Sequence, residues 1–139
     1  REHRQRILTL LEQQEKLERM ARIVGKDALP DEQQLTLLCA ELLNEGFLYQ
    51  SSFSPIDRYC SPERQSAMLR LLMHFVDQAG ETLKAGGSPE AISEVPVLRR
   101  LRRLGEELPE DDPEEANKLW SAIDQELGAI KTGGETDAR

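Results

Sequence analysis

The stretch CSPERQSAMLRLLMHFVDQAGETLKAGG, residues 60–87, carries the clearest fold signal in the chain. Ser61 suits a helix N-cap, Pro62 the first helical position, and Glu63 the positive end of the helix dipole. A pair of glycines ends the pattern. The apolar residues in between recur at helical spacing: Met68, Leu71, Leu72, Phe75, Val76 and Leu83. The stretch therefore predicts one long amphipathic helix with a single buried face.

Two amphipathic patterns precede this helix and predict a helical hairpin. The first covers Glu2–Val24 and the second covers about Asp31–Gln50. The apolar residues of the first are Ile7, Leu10, Leu11, Leu17, Met20, Ala21 and Val24, and those of the second are Leu35, Leu38, Cys39, Leu42, Leu43 and Leu48. The polar turn GKDALPDEQQ, residues 25–34, joins them. Gly25 suits the end of a helix, and Pro30 suits the first turn of the next one.

Shorter elements follow the long helix. Ser88 is expected to cap a short helix that Pro96 ends, and VLRRLRRLG then adds a last turn or two to about Leu104. The acidic linker EELPEDDPEE, residues 106–115, leads into a final amphipathic helix over about residues 112–130. One face of this helix is expected to carry Leu119, Trp120, Ile123, Leu127 and Ile130.

Together these patterns predict an all-α protein. No segment has the period-2 alternation of a strand. We expect an irregular helical bundle of about five helices over residues 1–104, followed by an acidic C-terminal extension over residues 105–139. The extension would comprise the acidic linker, the amphipathic helix and a disordered tail, KTGGETDAR, at residues 131–139.

The charge of the chain is concentrated in that extension. The 139 residues include 18 Lys or Arg and 26 Asp or Glu, for a net charge of −8. Three of the basic and eleven of the acidic residues lie in residues 105–139, so residues 1–104 are balanced. A nucleic-acid-binding domain would be basic, and no apolar run approaches the ~18 residues of a membrane span. The chain opens inside a helical pattern without a Met or a signal peptide, and we expect a fragment of a longer protein.

Residues able to support catalysis or metal binding are few. The only histidines, His3 and His74, lack metal-ligand spacing, and no Gly-rich phosphate-binding loop occurs. We therefore predict no catalytic residue and no metal site within this chain. Cys39 lies on an apolar helix face and is expected in the core. Cys60 precedes a helix start, where the dipole could activate a thiol, although packing is the favoured interpretation.

Three segments admit both a structural and a functional interpretation. RRLRR, residues 99–103, is either a patch for phosphate or an acidic partner, or a solvated helix face neutralised by the acidic tail, which we favour. The acidic turn at residues 27–32 is either a solvated loop tip or a partner contact. FLYQSSFSPIDRYC, residues 47–60, concentrates aromatic rings where the second helix ends. These rings could close the bundle, or Phe53 could stack on a planar ligand.

The segment IVGKDALPDEQQLTLLCAELLNEGFLYQSSFSPIDRYCSPERQSAMLRLLMHF, residues 23–75, resembles the C-terminal helical domain of the catalytic A subunit (alpha chain) of V-type and archaeal-type rotary ATPases. The pattern F-L-x-Q-x-x-F-x-x-x-D-x-Y-C-S-x-E-x-Q, residues 47–65, carries the resemblance most specifically. The resemblance covers about residues 1–104. LPEDDPEEANKLWSAIDQEL, residues 108–127, is similar to the extension of bacterial members.

This resemblance implies an ATP-driven proton or sodium pump, or an ATP synthase driven by an ion gradient. The family's phosphate-binding loop, catalytic Glu and β-barrel lie upstream, so the chain alone is expected to be inactive and to hold no cofactor. In the full protein the cofactor would be ATP or ADP with Mg. The partners would be the central-stalk subunits together with the B subunit, in a cytoplasmic head that is peripheral to the membrane.

The resemblance also implies roles for two groups of residues. Phe53 matches an aromatic that walls the adenine pocket, with Gln50 beside the base, and Ser51 stands where the family more usually has Asn. The turn matches the hairpin tip that touches the rotor shaft. The matching residues are Asp27, Ala28, Leu29, Pro30, Asp31 and Glu32. Lys26 dilutes their charge, so we expect bulk and helix rigidity, rather than charge, to push the shaft when ATP binding closes the pocket.

Two other functions compete with this interpretation. One is a non-catalytic helical interaction module whose acidic tail binds a partner. The other is a stand-alone helical adaptor that binds no nucleotide. A phosphate-binding loop encoded upstream of Arg1 would separate both from the ATPase interpretation.

Overall fold

The computed structural model describes residues 2–48, 62–104, 108 and 113–137, and side chains for residues 3–47, 62–104, 108 and 113–131. These residues form six α-helices. They are α1 Glu2–Val24, α2 Asp31–Leu43, α3 Pro62–Lys84, α4 Pro89–Ser93, α5 Pro96–Arg102 and α6 Pro113–Asp137. A 3₁₀ turn covers Lys26–Ala28 and a π-helical turn covers Asn44–Leu48. The described residues contain no strand, and the predicted all-α class is confirmed.

Helix α2 lies at the centre of the bundle, in contact with α1, α3, α4 and α5. Its buried residues are Leu35, Leu37, Leu38, Cys39, Ala40, Leu42 and Leu43. A helix that is apolar around most of its circumference is a core helix. The predicted inner face is therefore confirmed up to Leu43. Leu37 and Ala40, which the pattern missed, are buried because neighbours cover α2 on more than one side.

Helix α3 presents the long buried face that its sequence predicts. Its buried residues are Met68, Leu71, Leu72, Met73, Phe75, Ala79 and Thr82, with Val76 and Leu83 partly buried against the same core. Thr82 is the one polar member, and its hydroxyl donates to the Gln78 carbonyl at 2.8 Å. A buried hydroxyl with a partner avoids the cost of an unsatisfied polar group.

The start and stop signals act as predicted where the structure describes them. The Ser88 hydroxyl accepts a hydrogen bond from the Ala91 N–H at 3.0 Å and so caps α4. Gly86 adopts a φ of 105° after α3, a conformation that favours glycine. Pro62 and Pro96 are the first residues of α3 and α5. Ser61, the predicted cap of α3, lies outside the described residues.

The end of the second helix differs from the predicted single helix to about Gln50. Helix α2 ends at Leu43, and the backbone continues as the π-helical turn to Leu48. A Cβ atom on Gly46 would lie 2.6 Å from the Leu101 carbonyl oxygen. The backbone of α5 therefore packs directly on this turn, and only glycine permits that approach. We attribute the wider turn to this tertiary contact, which no local pattern encodes.

The predicted apolar face of α6 is wrong at one position. Leu119, Ile123 and Leu127 are fully buried and Ile130 packs partly against the core, but Trp120 is 42% exposed. Consecutive residues of a helix are about 100° apart around its axis, so a neighbour of Leu119 lies on the flank of the stripe. The indole packs on His74 instead.

Helix α6 extends beyond its predicted end at about residue 130, into the segment 131–139 for which the sequence predicts disorder. Helix α6 continues past Ile130 to Asp137, through both glycines of KTGGETD. An established helix grows by one hydrogen bond for each residue fixed, so extension costs far less than starting a helix. Ala138 and Arg139 lie outside the described residues.

Several contacts join α6 to the rest of the bundle. It packs along α3 and also contacts α4 and α5. Glu126 Oε1 accepts from the Val97 N–H at 2.7 Å, which satisfies an otherwise orphan donor at the start of α5. Arg100 donates to Glu115 at 2.8 Å, which agrees with a basic face neutralised by the acidic extension. The division of the chain at residues 104 and 105 stays a prediction.

Among the described residues, no helix is both long enough and apolar enough to span a bilayer.

Candidate functional site at the hairpin tip

The α1–α2 hairpin closes in a tight turn, residues 25–32, which we call the tip. Gly25 begins it with a φ of 92°, a left-handed conformation that side chains disfavour. Its N–H donates to the Ala21 carbonyl at 2.8 Å, which ends α1. The 3₁₀ turn Lys26–Ala28 follows at once. The chain thus reverses direction within a few residues, and backbone hydrogen bonds close the turn.

The second half of the tip is held by α2. Pro30 is the residue before α2, rather than a residue of its first turn, and its carbonyl accepts from the N–H groups of Gln33 and Gln34 at 2.9 Å each. The Gln34 side chain donates back to the carbonyls of Leu29 at 2.8 Å and Asp27 at 3.3 Å. One side chain of α2 therefore fastens two residues of the turn.

A small hydrophobic cluster, which we call the tip core, lies beneath this turn. Leu17 of α1, Leu29 of the tip and Leu37 of α2 are buried against one another. Met20 and Ala21 pack partly against them. This cluster is separate from the main core of the bundle. The tip is therefore supported by its own apolar contacts.

The six residues matched to a shaft contact divide into one buried and five exposed. Leu29 is buried in the tip core. The exposed residues are Asp27, Ala28, Pro30, Asp31 and Glu32. Two exposed apolar side chains lie beside them. Ile23, which sequence reasoning missed, is 82% exposed, and Val24, which the apolar pattern of α1 includes, is 57% exposed. Their signal was their position just before Gly25, where the apolar stripe of α1 reaches the end of the hairpin.

The charges of the tip are mixed. Lys26 Nζ lies 3.6 Å from Glu41 Oε2 of α2. A cleft of about 500 Å³ separates the tip from α4, and its lining includes Asp27, Asp31 and Glu90. Exposed ion pairs contribute on the order of 0–1 kcal/mol because water and salt screen them. The tip is therefore held mainly by its backbone hydrogen bonds and its buried leucines.

The second predicted site, the adenine-pocket residues Gln50 and Phe53, lies outside the described residues. The described part ends next to it, in the π-helical turn. Asn44 of that turn donates to Gln14 of α1 at 2.9 Å, and Phe47 packs half-buried against the main core. The chain segment that leads to Gln50 is therefore anchored on two sides. π-helical turns occur often at functional sites.

Little of the described chain suits chemical catalysis. Cys39 is buried as predicted, and desolvation raises the pKa of its thiol to about 12, which keeps it protonated and unreactive. Cys60 lies outside the described residues. Within the described part, no group of three His, Cys, Asp or Glu residues could hold a metal ion. The arrangement at the tip can instead present a stiff surface to another protein.

Comparisons with known proteins bear on this surface. The family model described as the C-terminal domain of V and A type ATP synthase matches residues 1–92. The chain belongs to this family. The match includes the tip and the positions of Gln50 and Phe53, and it ends before α5 and α6 begin.

Curated relatives extend the similarity beyond this ATP synthase domain. The A subunit of the A-type ATP synthase from Haloquadratum walsbyi is 41% identical over 114 residues, which cover 82% of this chain and 19% of that protein. Its counterpart from Pyrococcus horikoshii is 35% identical over 122 residues, covering 88% and 12%. That of Staphylothermus marinus is 35% identical over 139 residues, covering 99% and 23%. The chain thus spans less than a quarter of the length of each of these relatives.

Proposed function

We propose that this ATP synthase domain is the C-terminal part of a catalytic A subunit, where it links the nucleotide site to the central shaft. Family membership and the names of the relatives support this placement within the synthase. The observation that carries the mechanical role is the tip. Its turn is closed by backbone hydrogen bonds, fastened by Gln34 and supported by the buried Leu29.

In this proposal the hairpin acts as a lever. Nucleotide binding would favour one orientation of the helical domain, because contacts to the ligand improve in that orientation. The movement would reach the shaft through the tip, whose exposed surface joins Ile23 and Val24 to the matched tip residues. The full enzyme would hydrolyse or synthesise ATP and couple that reaction to H⁺ or Na⁺ transport. The catalytic groups would belong to the rest of the polypeptide.

Phe53 and Gln50 would form one wall of the adenine pocket. The motif of residues 47–65 supports this role. The π-helical turn that precedes Gln50 is held in place by contacts with α1 and with the main core, which also supports it. Stacking on an aromatic ring and burial of its area would hold the base. ATP or ADP with Mg would be bound through its phosphates by the nucleotide domain of the complete protein.

The proposed partners are the central-stalk subunits of the synthase together with its B subunit. Belonging to an ATP synthase implies assembly with other subunits. The location that follows is the cytoplasmic head, peripheral to the membrane.

Substitution of Phe53 tests the adenine wall. In the complete protein, Phe53→Ala should weaken ATP binding by about 1–3 kcal/mol, since stacking and aromatic area are lost. Phe53→Trp, which keeps a stacking surface, serves as the matched control and should retain most of the affinity. Calorimetric titration with ATP measures both. An unchanged affinity in the Ala variant would remove Phe53 from the pocket.

A non-catalytic interaction module with an acidic partner-binding tail remains the competing function. Two acidic side chains of α6, Glu115 and Glu126, already bind Arg100 and the start of α5 within the chain. This makes the described part of the extension a poor candidate for an open acidic ligand. Sequencing the gene upstream of the Arg1 codon decides between the two, because only the ATP synthase proposal requires an encoded phosphate-binding loop.

A further inference from the structure

A three-residue cluster joins α3 to α6 at the edge of the main core. His74 of α3 places Nε2 2.7 Å from Asp124 Oδ1 of α6. The imidazole also stacks on the indole of Trp120, with ring centroids 3.6 Å apart and planes 9° from parallel. Trp120 and Asp124 are four residues apart and so share one face of α6. Trp120 of α6 therefore contacts the face of the imidazole ring, and Asp124 of α6 contacts its edge.

The burial of the cluster allows it to respond to solvent. The His74 side chain is 12% exposed, whereas Asp124 is 48% exposed. The imidazole is thus largely shielded by α6, and the carboxylate that faces it is open to water. A cluster at the rim of the helix interface can gain or lose a proton without taking the whole core apart.

The charges around His74 come from three helices. Asp124 is the charged group of α6 that contacts the ring. On α3, Arg70 and Asp77 lie one helical turn away on either side, and Asp77 is paired with Arg6 of α1. The immediate partners of the ring are therefore one carboxylate and one indole face, both of which favour a cation.

Protonation changes the strength of both contacts. In the neutral ring, Nε2–H donates a hydrogen bond to the charged Asp124 carboxylate, and the stacked rings are both uncharged. In the imidazolium ion the same bond joins two opposite charges, and the ring becomes a cation over the face of Trp120. Imidazole is the side chain that changes charge between about pH 5 and 8. Both gains exist only while α6 lies on α3.

We propose that His74, Trp120 and Asp124 form a pH-responsive latch that holds α6 on α3 more tightly when His74 carries a proton. Docked α6 buries Leu119, Ile123 and Leu127 against the main core. The latch therefore controls how often α6 separates from α3 and exposes this apolar face to water. It does not depend on the proposed role in an ATP synthase.

Hydrogen exchange on the 139-residue chain tests the latch. Amide protection factors of α6, corrected for intrinsic exchange rates, should be about threefold to tenfold higher at pH 5.5 than at pH 8. His74→Gln should abolish this ratio and Asp124→Asn, which leaves the Trp120 contact in place, should lower it, whatever they do to overall stability. His3→Gln, which alters the only other histidine, is the matched control and should keep it.

Two results would overturn the latch. One is a pH ratio that persists in His74→Gln, and the other is a ratio that disappears equally in His3→Gln. Trp120 offers a second measurement that needs no variant, because it is the only tryptophan. A protonated imidazole stacked on an indole quenches its emission, so Trp120 fluorescence should fall between pH 8 and 5. Constant emission over that range would also contradict the proposal.

Discussion

The tip and the body of this domain are built on cores of very different size. The main core draws buried residues from all six helices, whereas the tip core has three buried leucines, Leu17, Leu29 and Leu37. Both cores are packed, but the loss of one side chain should affect them differently. Loss of one side chain from the tip core removes a third of its buried members, while the main core can spread such a loss over many neighbours.

This difference matters for the proposed lever. In that proposal the body must keep its shape while it carries load, and its stability is shared among many contacts. The tip would need only local stiffness, which a few backbone bonds, Gln34 and three leucines can supply. A single substitution should therefore soften the tip and leave the body folded. The following predictions test that separation, from the largest effect on stability to the smallest.

Phe75→Ala should cause the largest loss of stability. Phe75 is fully buried in the main core, so its removal leaves a large cavity and should cost about 3–5 kcal/mol. Urea unfolding of the 139-residue chain measures the change. Leu8→Ala, at an exposed position of α1, is the control and should stay within about 0.5 kcal/mol of the native chain. A loss below about 1 kcal/mol for Phe75→Ala would contradict the description of the main core.

Gly46→Ala should have an intermediate effect, where the body meets the end of α2. The added methyl would lie 2.6 Å from the Leu101 carbonyl oxygen and 3.2 Å from a Leu72 methyl group. Backbone must move to make room, at a cost of about 1–3 kcal/mol. Gly80→Ala, near the C-terminal end of α3 with open space around it, is the matched control and should be neutral or stabilising. Equal unfolding midpoints for the two variants would refute the close approach of α5.

Simultaneous replacement of Asp27, Asp31 and Glu32 by Ala should have the smallest effect on stability, about 1 kcal/mol or less, because all three are exposed and only Asp31 and Glu32, in the first turn of α2, interact favourably with the helix dipole. In the assembled synthase, this variant should also keep ATP hydrolysis coupled to ion transport, since we assign force transmission to the stiff turn. The ratio of ions moved to ATP hydrolysed is the measurement. A collapse of that ratio would show that charge at the tip carries the force.

Much of this fold follows from local sequence signals. Ser88, Pro62, Pro96 and Gly86 start or end helices through hydrogen bonds and backbone angles that involve near neighbours only, so their effect is visible in the sequence. The apolar stripes of α2 and α3 follow for the same reason, because helical spacing alone defines a face.

Features that depend on distant contacts were missed. The π-helical turn arises where Leu101 of α5 meets Gly46, a contact between residues far apart in the sequence. The ring of Trp120, on the flank of its stripe, stacks on His74 of another helix, which spacing within α6 does not reveal. The exposure of Ile23 and Val24 depends on where the hairpin ends, which spacing within α1 does not reveal. Gln50 and Phe53 lie outside the described residues, so their assignment stays a prediction.

The central claim is that a tip stiffened by its own small core transmits force in the assembled synthase. The most direct test compares two buried leucines, Leu29 in the tip core and Leu127 in the main core. Each Leu→Ala change should lower the free energy of unfolding by about 2–5 kcal/mol, so the two variants differ mainly in which of the two cores loses a side chain. We predict that Leu29→Ala lowers the number of ions moved per ATP hydrolysed and that Leu127→Ala preserves it. Full coupling in Leu29→Ala, or an equal loss in both variants, would contradict the account.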